Sequence, residues 1–195
     1  MSVFKNTFRV ETARHPDWDY SGDGMYFVTI CTQNKFCYFG EIVNEEMRLN
    51  NIGKIAAGFW AEIPKHFPNV ILDEYIIMSN HLHGIIFICN DDVRQGVDNC
   101  NRIRRDAINR VSTGGGITGQ YNPMGKNSLG EIIRWYKGRV SFEVNKVYDK
   151  NFIWQSRFYD RIIRNEYELH NVRNYIYYNP VKWEIDRNNP ENLFY

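Results

Sequence analysis

The sequence predicts an α+β fold: a ferredoxin-like antiparallel sheet with helices packed on one face. Two observations predict it. Strand-like and helix-like segments follow the order strand, strand, helix, strand, strand, helix, strand, helix, which suits an antiparallel sheet layered with helices. The chain has 195 residues, 43% of them hydrophobic and 15% aromatic, enough apolar mass for the core of one domain spanning 1–195.

Residues 1–24 lack a clear period and end in the turn-rich Ser21-Gly22-Asp23-Gly24. Tyr26–Thr32 is β-branched and aromatic, as strands are, and Phe39–Val43 is the expected hairpin partner. From Asn51 the period becomes helical, with Ile52, Ile55, Ala56, Phe59, Trp60, Ile63 and Phe67 three and four apart. Pro64 should end or kink that helix. Val70–Met78 and His83–Ile88 read as two strands joined by a turn at Ser79-Asn80. Residues 90–127 are polar, carry Gly114-Gly115-Gly116, and read as a flexible insertion. Ser128 followed by Glu131 has the spacing of a capping box, and Leu129, Ile132, Ile133, Tyr136, Val140 and Val144 form the buried stripe behind it. A fifth strand is expected at Phe158–Ile163. The last helix is expected from an Asn165 cap to Pro180, on a stripe of Leu169, Val172 and Ile176.

Net charge is +1, so no global field announces a polyanionic partner, and any such binding must come from local patches. The insertion holds Arg94, Arg102, Arg104, Arg105 and Arg110, and the second helix holds Arg134, Lys137 and Arg139. These are candidates for phosphate contact, with a solvated loop and helix face as the alternative. The four cysteines form no C-x-x-C pair and read as reduced packing residues of a cytoplasmic protein. The N-terminus does not look like a signal peptide, and no apolar run reaches the ~18 residues of a membrane span.

Chemistry concentrates in two places. His81-Leu82-His83 opens a strand, and side chains two apart on a strand point the same way, so both imidazoles can reach one ion while Leu82 faces away. Gly84 beside them allows a close approach by another backbone or a ligand. On the last helix, Tyr175 and Asn179 are four apart and share a side at the edge of the buried stripe. A hydroxyl and an amide buried there without partners would cost about 1–3 kcal/mol each, which a metal or a phosphodiester would relieve.

Three ordered stretches carry a resemblance. Met78-Ser79-Asn80-His81-Leu82-His83-Gly84-Ile85, Trp154-Gln155-Ser156-Arg157-Phe158-Tyr159-Asp160 and Tyr175-Ile176-Tyr177-Tyr178-Asn179-Pro180-Val181-Lys182 resemble the single-tyrosine HUH transposases, and most the REP-associated tyrosine transposase branch. The likeness runs from about Tyr26 to Trp183, interrupted by the insertion. It implies an HUH endonuclease fold with His81 and His83 as ligands of a divalent metal, Mg²⁺ or Mn²⁺, and Tyr175 as nucleophile. Insertion-sequence members carry glutamine four residues after the tyrosine as third ligand, and Asn179 stands there in this chain. Trp154, Arg157 and Phe158 match a W-Q-x-R-[FY] motif for which a structural role is equally open.

The implied activity is that of a single-stranded DNA endonuclease and strand transferase working through a 5′-phosphotyrosine. Its implied partner is single-stranded or hairpin DNA; a homodimer, as in insertion-sequence relatives, and a monomer, as the REP-associated branch can be, both stay open. No general base is evident; His170, five residues before Tyr175, is a weak candidate. Two other readings remain open: a DNA-binding module of this fold without catalysis, and a metal-dependent nucleotide hydrolase using water. A histidine-triad hydrolase would want a third alternating histidine, and Ile85 stands in that place.

Overall fold

A computed structural model describes residues 3–4, 7–8, 19–89, 127–148, 151–186, 188–190 and 192. Two short strands, β1 (Val3–Phe4) and β2 (Thr7–Phe8), pair with each other. The body of the fold consists of β3 (Gly24–Cys31), β4 (Gly40–Val43), β5 (Glu46–Leu49), α1 (Asn51–His66), β6 (Val70–Ile77), β7 (His81–Ile88), α2 (Leu129–Val147), β8 (Tyr159–Ile163) and α3 (Glu166–Tyr177). The main sheet has the order β6-β7-β3-β8, antiparallel throughout, as the ferredoxin-like expectation requires. The insertion at 90–127 lies outside the described residues except for Asn127, so Arg104, Arg105 and its other arginines are not placed.

Each helix begins with a side-chain cap. Asn50 accepts from the Gly53 amide at 3.0 Å, Ser128 from Glu131 at 3.3 Å and Asn165 from Glu168 at 2.8 Å. Pro64 lies inside α1, which ends two residues later at His66.

One detail of the expected layering differs. Helices α1 and α2 cover one face of the sheet, whereas α3 covers the other. All eight residues of β7 are buried, which happens when both faces of a strand are covered. On the first face, Tyr26, Val28, Ile30, Leu82, Ile86 and Ile88 meet Trp60, Ile63, Ile132, Tyr136 and Val140. On the second, Met25, Ile85, Phe87 and Ile163 meet Leu169, Val172 and Ile176. The strands carry apolar residues at odd and even positions alike, so a single covered face would have left one row in water.

Two further expectations need correction. Gly40–Val43 does not pair with β3; it pairs with Glu46–Leu49 in a separate hairpin. Its turn residues Asn44 and Glu45 have φ of 52° and 65°, the left-handed pair that matches strand twist, without the glycine that usually signals it. Helix α3 ends at Tyr177 rather than Pro180, so Asn179 lies past the helix and does not share its face with Tyr175. The residue before a proline is pushed out of helical geometry, which moves the end of the helix back.

Gly84 answers to packing. A Cβ there would sit 2.4 Å from Trp60 Cζ2, so the close approach it permits is that of an indole, on the face away from the histidines. Among the described residues no helix is long and apolar enough to cross a membrane. Cys31 and Cys89 are buried, Cys37 is exposed, and none of the three is in a disulfide.

Candidate active site

Strand alternation puts His81 and His83 on the α3 side of β7, both essentially fully buried. Their Nε2 atoms are 3.0 Å apart. Thr29, opposite His83 on β3, contacts its Nδ1 at 2.9 Å, and Asn80 Oδ1 contacts His81 Nδ1 at 2.8 Å. Phe27 stacks on His83 with ring centroids 5.3 Å apart, and Trp183 stacks on His81 at 6.1 Å. Both rings are thus held by an outer hydrogen bond and an aromatic neighbour, which fixes their orientation.

Helix α3 brings Tyr175 to this pair. Its hydroxyl is 3.2 Å from His83 Nε2, and its ring packs edge-on against Phe27 and His83. Tyr175 is 39% exposed, so the hydroxyl stands between the buried imidazoles and solvent. The helix is fixed by Leu169, Val172 and Ile176 and by Arg173, whose guanidinium makes two bonds to Asp73 on β6, at 2.8 and 2.7 Å. The bonded carboxylate pushes the Arg173 pKa above its ordinary value, so the guanidinium stays charged.

Asn179 is buried, and its Nδ2 reaches Asp186 Oδ2 at 3.5 Å. Its Oδ1 is buried with no hydrogen-bond partner. Asp186, which the motifs did not single out, follows a single 3₁₀ turn at Trp183–Ile185, and its carboxylate joins the two imidazoles: the ligand atoms of His81, His83 and Asp186 lie within 4.8 Å of one another. Two imidazole nitrogens and a carboxylate make an N/O donor set that fits a divalent cation. The signal that could have found Asp186 is slight: a turn-forming run of Asp186, Asn188 and Asn189 just beyond the tyrosine motif.

Other candidate residues lie elsewhere. Arg134, Lys137 and Arg139 are on α2, across the sheet from the imidazoles. The Lys137 ammonium donates to the backbone carbonyls of Gln155 and Ser156, and burial lowers its pKa. Arg139 lies over the Phe59 ring at 5.1 Å. Trp154 is a core residue whose indole N–H donates to the Lys137 carbonyl at 3.2 Å. His170 is exposed and pairs with Asn174 at 2.9 Å; the imidazole that faces the Tyr175 hydroxyl is His83.

No family model matches the chain. A Haemophilus influenzae protein described as uncharacterized is 35% identical over 173 residues, 87% of each chain. A second Haemophilus influenzae protein, provisionally named a REP-associated tyrosine transposase, is 23% identical over 84% of this chain and 74% of its own. Among solved structures, a REP-associated tyrosine transposase bound to a REP hairpin superposes with a TM-score of 0.52 at 16% identity, covering 89% of this chain and 74% of that one. The chain therefore belongs to one family with the first Haemophilus influenzae protein and is transposase-like in fold, related to the REP-associated tyrosine transposases.

Proposed function

We propose that the protein is a metal-dependent single-stranded DNA endonuclease and strand transferase with Tyr175 as its nucleophile. The observation that carries this reading is the 3.2 Å approach of the Tyr175 hydroxyl to His83 Nε2, beside a second imidazole and a carboxylate. The related proteins point the same way, one named a transposase and one bound to a DNA hairpin.

His81, His83 and Asp186 would hold the cation, with the Asn179 amide oxygen as a fourth donor. The cation, Mg²⁺ or Mn²⁺, would supply positive charge to a non-bridging oxygen of the scissile phosphate. With His83 Nε2 given to the cation, the Tyr175 hydroxyl would lose its contact with that ring atom and be free to face phosphorus. A phenol ionises near pH 10 in water, so its proton must leave as the bond forms.

In the step itself, the Tyr175 oxygen bonds to phosphorus while the P–O3′ bond breaks. The products are a 5′-phosphotyrosyl strand and a 3′-oxygen that takes up a proton. Reversal by another 3′-hydroxyl rejoins DNA without ATP. An open groove of about 650 Å³, where Tyr75, Tyr177 and Tyr178 offer stacking surfaces, would take flanking bases. Arg134 and Arg139, across the sheet, would contact phosphates away from the cut.

The test uses purified protein, Mn²⁺ and 3′-labelled single strands that include palindromic repeats flanking its gene. Wild type is expected to yield a denaturation-resistant protein–DNA adduct, and Tyr175→Phe none. Equal adduct from Tyr175→Phe would overturn the assignment.

A further inference from the structure

We propose that Asn80 is the positioning residue of this site: its amide fixes the tautomer of His81 and ties the segment bearing Asp186 to the imidazoles. The inference rests on the metal site proposed above.

Asn80 closes the turn between β6 and β7 and is 1% exposed. Its Nδ2 donates to the Lys35 carbonyl at 2.9 Å and to the Asn188 carbonyl at 2.8 Å. Both amide hydrogens are thereby used, and a flipped amide would set its oxygen against two carbonyls. The side-chain orientation is therefore decided by the network. The atom 2.8 Å from His81 Nδ1 is then Oδ1, which can only accept. His81 must carry its proton on Nδ1, and a neutral ring then has its lone pair on Nε2, the atom that faces His83 and would face a cation.

The second tie concerns Asp186. Asn188 gives its carbonyl to Asn80 and its own amide to Asp186 Oδ1 at 2.6 Å. A single side chain therefore links the two kinds of ligand, imidazole and carboxylate, that lie more than a hundred residues apart in sequence. The Asn80 carbonyl meanwhile accepts from the Thr32 amide at 2.9 Å and the Thr32 hydroxyl at 3.0 Å, anchoring the turn to the end of β3. A residue present only to shape a turn would need none of the side-chain contacts to His81 or Asn188.

The experiment has two readouts. Calorimetric titration of the intact protein with Mn²⁺ measures the site directly, and ¹⁵N correlation spectra of the metal-free protein at mildly alkaline pH report the His81 tautomer. Asn80→Ala is expected to bind Mn²⁺ about 10–100-fold more weakly and to lose the pure Nδ1–H state of His81. Asn80→Asp keeps the acceptor oxygen and should retain that tautomer, while losing both donors and with them the hold on Asn188. A folded Asn80→Ala protein with wild-type Mn²⁺ affinity and unchanged tautomer would overturn the proposal. Should the alanine variant not fold, Nε2–H at His81 in Asn80→Asp would overturn it equally. Wild-type protein that binds no Mn²⁺ would instead sink the metal reading itself, and the metal-free spectra would still decide the role of Asn80.

Discussion

The ion pair that docks α3 can be dismantled from either end, and the two ends should not cost the same. The Asp73 side chain is 4% exposed and that of Arg173 36% exposed. Arg173→Ala strands a buried carboxylate that keeps the Glu74 amide at 2.8 Å but loses its counter-charge. Breaking a fully buried pair this way costs about 3–5 kcal/mol. With the guanidinium about a third in water, solvent screening brings the cost to about 2–3 kcal/mol. Asp73→Ala leaves a guanidinium that can turn outward into solvent, at a cost of about 1 kcal/mol. For a chain of this length the first variant should melt roughly 4–12 °C below wild type. Urea unfolding of both single variants and the double variant gives the coupling directly. The reasoning fails if Asp73→Ala is at least as damaging as Arg173→Ala.

Other expectations can be checked with the same proteins. Gly84→Ala puts a methyl against the fully buried Trp60 ring and should cost about 1–3 kcal/mol in a denaturant titration; an unchanged midpoint would mean the indole moves freely. Glu45→Gly relieves a left-handed residue in the β4–β5 turn and should stabilise by about 0.5–1 kcal/mol, measured by melting. Asp186→Asn removes an anionic oxygen while keeping shape, so Mn²⁺ affinity should fall at least about tenfold with little change in melting temperature. If calorimetry finds the affinity intact, Asp186 is no ligand.

The strands and helices that bury a periodic row of apolar residues were readable without coordinates. The caps Ser128 and Asn165 and the stripes behind them lie where their spacing implies, because capping and burial are local or periodic demands. The β4–β5 hairpin was not legible, since its turn uses Asn44 and Glu45 where glycine would have announced it. That His81 and His83 share a side followed from strand geometry. That Tyr175 meets them depended on which face α3 covers, and both sheet faces are apolar enough to accept a helix. Asp186 stayed hidden for a different reason. It reaches the histidines through an irregular tail fixed by backbone hydrogen bonds, and such tails leave no periodic trace.

Strand β7 keeps its duties on separate sides. Leu82, Ile86 and Ile88 grip the helices of one layer, while His81 and His83 look into the other. Replacing the two imidazoles by different donors would leave the first row's grip untouched. Reactivity on this scaffold can therefore drift, weaken or be exchanged while the framework beneath it still folds.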